Sequence, residues 1–205
     1  MTKLIFQIVL FVMVSTYSVF AQEQKPKESS RDIPLLINGG MSANFSALGR
    51  NSGFITGDTS FAYFTAIKAS LAIDGKWRAG GKVNILSNSI DHALKADEVA
   101  TMSFTYGGAF AGYSFNLYKF FRIETEAMIG GGVVEMVTGK GDNSHSSPFF
   151  ALEPEIVFLF VMGGHIGLGI NISYRLATGM DDGSGYSTAD LSGPSAGIDL
   201  RVGDF

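Results

Sequence analysis

Three places in this 205-residue chain hold residue types that could do chemistry. His165 follows Gly163-Gly164, and with Glu153 or Glu155 near it the imidazole could move a proton at neutral pH. Asp142, Asn143, Ser144, His145, Ser146 and Ser147 put the parts of a nucleophilic triad into six consecutive positions. Asp181-Asp182-Gly183-Ser184-Gly185, followed by Asp190, offers oxygen ligands for a hard cation such as Ca²⁺. Each has a plainer reading. A lone His is more often one member of a hydrogen-bond network. Triads are assembled in space rather than from adjacent residues, and Ser-rich loops are simply soluble. The acidic loop lacks EF-hand spacing and reads as a solvated loop. No catalytic residue is assigned, and no cofactor or metal is expected.

The elements that must position these residues are strands. From His165 to Leu176, Ile166, Leu168, Ile170, Ile172, Tyr174 and Leu176 alternate with small, polar or charged residues. That two-residue period gives a ribbon with two chemically opposite faces. It recurs in eight segments, roughly 33–45, 59–73, 76–86, 99–116, 119–138, 148–161, 164–176 and 191–204. Two segments change phase. Met102, Phe104 and Tyr106 share one parity while Tyr113, Phe115 and Leu117 take the other, and a similar slip falls at Gly130-Gly131-Gly132. Glycines at both slips predict β-bulges, and Pro154, which has no N–H to donate, predicts a local defect.

The ends and the composition bound the rest. Lys3, the apolar run Leu4 to Val14 and the small residue Ala21 read as a signal peptide over 1–21, so the chain is expected to be exported. Residues 22–32 form a polar tether, and 33–205 a single domain. The sequence contains no Cys, which excludes disulfides, lipoprotein acylation at a lipobox and cysteine metal sites. A net charge of −4 gives a nucleic-acid partner no electrostatic support. Downstream of the leader no apolar run is long enough for a membrane helix.

The connections alternate in length. Asp74-Gly75, Leu117-Tyr118 and Met162-Gly163 are tight, whereas 46–58, 87–98, 139–147 and 177–190 are long and polar. An even number of antiparallel strands with turns at one end and loops at the other is the plan of an up-and-down transmembrane β-barrel, turns periplasmic and loops external. The large apolar face is then assigned to lipid and the Gly/Ala/Ser/Asn face to a narrow lumen. Lys68, Arg78, Lys82, Arg122, Arg175 and Arg201 share that inner face with Glu124, Glu126, Glu153, Glu155 and Asp199. Six cations against five carboxylates is what a closed network of paired buried charges requires. Trp77, Tyr113, Phe115, Tyr118, Phe120, Phe121, Phe158 and Phe160 near the turns, and Phe45, Phe61, Tyr63, Phe104, Tyr106, Phe149, Phe150 and Tyr174 near the loops, read as two interfacial girdles.

In this architecture, over residues 33–205, the chain resembles the small eight-stranded outer-membrane barrels of the OmpA transmembrane domain and OmpX class. Phe205 looks like the C-terminal aromatic that serves such proteins as an assembly signal, although Asp199, Arg201 and Gly203 share its parity where the class usually places apolar residues. The resemblance implies outer-membrane localisation, with outer-membrane lipid and the outer-membrane assembly machinery as partners. It implies a non-enzymatic barrel with a filled lumen, acting in surface interaction or envelope integrity through its loops. The external partner is not readable from the sequence. OmpW-like transport of a small hydrophobic molecule is the alternative. A lipid-modifying barrel enzyme, for which no deacylase or palmitoyltransferase motif is present, and a soluble periplasmic barrel stand behind it.

Overall fold

A computed structural model of the chain describes residues 35–48, 61–88, 90–95, 98–138, 144–180 and 188–205. The expected signal peptide, the tether, Asp142, Asn143 and the acidic run 181–185 lie outside the described residues. The strands are β1 (Leu35–Ala47), β2 (Phe61–Ile73), β3 (Trp77–Leu86), β4 (Ile90–Lys95), β5 (Glu98–Tyr118), β6 (Phe121–Thr138), β7 (Ser144–Met162), β8 (Ile166–Thr178) and β9 (Gly193–Gly203), with one helical turn, α1 (Thr188–Leu191).

All pairings are antiparallel. They run β3-β2-β1-β9-β8-β7-β6-β5, and pairing of β3 with β5 closes the ring at eight strands. Each ring strand therefore has two partners, and the wall presents no open edge to lipid. The short β4 is a departure from the expected loop 87–98. It pairs with the outer end of β5, beyond the reach of β3. Similarly, Ser144 to Ser147 continue the β6–β7 hairpin instead of belonging to a loop, because the ladder runs out to Val137 and Ser144.

The expected bulges are absent. From Ala100–Thr138 down to Asn116–Arg122 the β5–β6 register does not shift, and the irregularity comes only between Asn116 and Tyr118, beside the turn. The phase change has another cause. Met102, Phe104, Tyr106 and Phe110 stay on the inner parity and are buried; the first three make the outer half of the lumen apolar, and Phe110 lies deeper, with Lys68 Nζ 4.8 Å from its ring centroid. Glycines make room for these rings. A Cβ on Gly80 would lie 2.8 Å from the Phe110 ring, and one on Gly132 would meet the Phe149 ring at the same distance. For the same reason Phe104, Tyr106 and Phe149 leave the predicted outer girdle and point inward. At Pro154 the β7–β8 ladder skips from Leu152–Leu176 to Glu155–Ser173 without a register change, as a missing donor dictates.

The exterior of β8 and β9 is apolar along the strands, while Ser103, Thr105 and Glu135 are exposed on the longer β5 and β6. Ile166, Leu168, Ile170, Ile172 and Leu176 of β8, and Ile198, Leu200 and Val202 of β9, are all exposed. Water would not tolerate so continuous an apolar belt on a monomer, and lipid requires it. Across β2, β3 and β5 the belt is smoother, with Ala69, Ala79, Gly81, Ala109 and Ala111 in adjoining registers. Ile170→Arg, at mid-strand on the lipid face, is expected to lower the stability of the vesicle-inserted barrel by roughly 2–4 kcal/mol in denaturant titrations. Ser173→Thr, on the inner face, should cost distinctly less.

Candidate functional site

The lumen gathers the charged residues that strand parity put on one face. Lys68, Arg78, Lys82, Arg175 and Arg201 are buried there, with Glu124, Glu126, Glu153, Glu155 and Asp199. Lys68 and Lys82 are directly opposed on β2 and β3, and Glu126 and Glu155 on β6 and β7. Like charges directly opposed on neighbouring strands repel. The two pairs resolve that by reaching across the barrel to each other.

The bridges form a single column along the axis. Near the loops, the Arg175 Nη1 donates to the Tyr106 hydroxyl at 3.0 Å, and that hydroxyl donates to Glu153 Oε2 at 2.5 Å. Lys82 Nζ bridges Glu153 at 2.7 Å and also bonds Glu155. Lys68 meets Glu155 at 2.9 Å and also bonds Glu126. Arg78 lies 3.7 Å from Glu126 and bonds Glu124. Arg201 closes the column, joining Glu124 to Asp199, the latter at 2.8 Å. Charges alternate in sign from Glu153 to Asp199, so each buried ion has an opposite neighbour. Isolated, any of them would be too costly to bury.

Ser70 and Asn38 finish the inner end. Arg78 Nη2 donates to Ser70 Oγ at 2.7 Å and to Asn38 Oδ1 at 3.0 Å. Below them Val157, Leu159 and Val161 form a small apolar cluster, against which Phe205 packs. Arg122 belongs to this rim: it is half-buried, with its guanidinium 5.8 Å from the Phe205 ring centroid, and no carboxylate bridge to it is found among the described residues. Phe205 therefore turns to the lumen side of the turn-side mouth, consistent with the parity it shares with Arg201.

Arg175 differs from the other buried cations. Its described acceptors are neutral: the Leu191 carbonyl at 2.6 Å, Tyr106 Oη, and Ser46 Oγ at 3.4 Å. The rings of Phe64, Phe104 and Tyr106 surround its guanidinium at 4.9–5.1 Å from their centroids. The strand pattern gave no sign of this box: Phe64 shares the inner parity of β2 with Lys68, but on β5 the inner parity of Phe104 and Tyr106 was masked by the apparent phase slip.

Among the described residues the candidate chemical groups do not come together. His165 is three-quarters exposed at the β7–β8 turn, with Nδ1 3.4 Å from Asp204, and belongs to the rim instead of facing Glu153 or Glu155. The Ser147 side chain is buried and Ser146 exposed, and Asp190 is buried on α1. Among the described residues no group of three His, Cys, Asp or Glu side chains is placed to hold a metal ion.

Glu124 is the most connected carboxylate, shared by Arg78 and Arg201 with a 3.2 Å bond from Ser114 Oγ. Glu124→Gln should destabilise the barrel by about 3–5 kcal/mol, since it strands buried guanidinium charge. Arg122→Gln at the rim should cost less than about 1 kcal/mol. Denaturant midpoints of the two variants in the same detergent check the contrast.

No family model matches the sequence, and no curated protein is similar to it at a significant level. Solved structures do resemble it. Ail, the attachment invasion locus protein of Yersinia pestis, is similar with a TM-score of 0.53 at 13% identity, over 83% of this chain and 97% of that one. Neisserial surface protein A is similar with a TM-score of 0.54 at 11% identity, over the same shares. At such identity the likeness speaks for fold, and with the closed ring and apolar belt the conclusion is plain: the chain has the fold of the small eight-stranded outer-membrane β-barrels.

Proposed function

We propose that this protein is a non-enzymatic outer-membrane barrel whose lumen is a plug and whose external loops act in surface interaction or envelope integrity. The observation that carries this reading is the alternating column from Glu153 to Asp199, which fills the space an aqueous pore would need. Function then falls to the loops, the parts of a rigid scaffold free to vary. The similar barrels, an attachment invasion locus protein also solved with a heparin analogue and a surface protein, support a surface role. The leader over 1–21 serves export in this reading. Phe205 serves as the assembly signal, read by the assembly machinery before the strands close and its ring turns inward.

Transport of a small hydrophobic molecule is the second reading, and one observation favours it. The outer half of the lumen is lined by Phe64, Met102, Phe104, Tyr106, Met128 and Phe149 instead of by charge. Planar-bilayer recording separates the two. Purified protein is expected to give no steady large channels, and their appearance would overturn the plug. Carbonate extraction should leave the protein in the membrane fraction, and deletion of Phe205 should lower the folded, membrane-inserted yield. Mass spectra of lipid A should be the same with and without the protein, which an enzymatic barrel would contradict.

A further inference from the structure

At the outer end of the lumen a piece of the chain packs against both an aromatic cluster and a buried guanidinium. Leu191, the last residue of α1, is fully buried among Phe64, Phe104, Tyr106, Phe149 and Leu48. Its carbonyl takes the 2.6 Å bond from Arg175 Nε, while Ser192 Oγ accepts from the Ala177 N–H at 2.9 Å and donates to the Thr188 carbonyl at 2.9 Å. So an apolar side chain fills an aromatic box, and an oxygen next to it meets a guanidinium. The Leu191 carbonyl, the Ser192 hydroxyl and the Leu191 side chain thus tie this end of the turn to the wall, beside the buried Asp190.

The pairing is chemically lopsided. The column below gives every one of its buried cations a carboxylate, yet Arg175 receives a neutral carbonyl from the turn above it. A guanidinium binds an anionic oxygen more strongly than a neutral one, and planar carboxylates fit it bidentately. Three rings around the same cation provide apolar surface immediately beside that head group. The floor of the pocket is already satisfied, because Tyr106 is committed to Glu153.

We propose that the Arg175 box is a binding site for a small amphipathic carboxylate, entering from the loop side, and that Leu191 is the built-in occupant it displaces. The carboxylate replaces the Leu191 carbonyl on Arg175, and the apolar body replaces the Leu191 side chain among Phe64, Phe104 and Tyr106. The turn α1 then lifts, so binding on the inside changes what the β8–β9 loop presents outside. This goes beyond the surface role above, because it needs no passage through the column and survives whether or not the barrel conducts.

Phenylbutyrate, soluble and carrying one carboxylate, is the probe, and phenylbutanol is its uncharged match. NMR of the nanodisc-embedded protein follows the Arg175 Nε–H and the amides of Tyr106, Ala177 and Ser192. Phenylbutyrate should shift these signals weakly in the native protein and bind Leu191→Ala about tenfold more tightly, the scale set by the leucine burial no longer to be displaced. Phenylbutanol should bind Leu191→Ala at least about tenfold more weakly than phenylbutyrate, as loss of a charge-assisted bond predicts. Arg175→Lys, which keeps a buried cation and so the fold, should weaken phenylbutyrate while leaving phenylbutanol unchanged. The proposal is overturned if Leu191→Ala binds phenylbutyrate no better than the native chain. It is also overturned if the two probes bind alike, or if the shifts fall on the lipid-facing amides of Ile170 and Ile172.

Discussion

An eight-stranded ring leaves an interior only as wide as the side chains that fill it, and in this protein that interior carries ten buried charges from the wall. Lys68 beside Lys82 and Glu126 beside Glu155 would each be repulsive on its own stretch of sheet. They are tolerable only when the ring is closed, with β2 and β3 facing β6 and β7 across the lumen. Closure and charge pairing are thus one event. A register slip of one residue on any of these strands would turn its charges into lipid and leave their partners stranded inside.

Buried ion pairs are poor evidence of stability in general, because desolvation offsets most of the Coulombic gain. Here they are better understood as specifying register. Burial of the membrane belt is indifferent to which apolar residue meets which, whereas the column accepts one arrangement. The apolar upper lumen plays the complementary part, packing rings such as Phe149 into space left by glycine at position 132. The lumen is therefore divided, ionic toward the turns and aromatic toward the loops. Arg175 stands at the boundary, joined to both through Tyr106.

That division explains where reading by parity goes astray. Parity alone separated inside from outside correctly on β8, where Gly167, Gly169, Asn171, Ser173 and Arg175 alternate with large aliphatics. On β5 and β6 it met apolar residues on the inner face and took them for a change of register. The inner face of a barrel is not obliged to be polar, only to be filled. His165 illustrates a second error of the same kind. Its parity matches the charged face, but its place beyond the end of the strand leaves it in solvent with Asp204.

The sequence by itself determined the strand count of the ring, its up-and-down order, the lipid-facing side and the near-balance of charge on the other side, because each follows from a two-residue period and from the lengths of the connections. It could not say which cation meets which carboxylate, that Arg122 stays at the rim, that Phe205 turns inward, or that Arg175 sits among three rings under Leu191. Those depend on contacts across the lumen, such as Lys68 to Glu155, whose partners lie 87 residues apart in the chain. Only closure brings such residues together, and no local pattern records it.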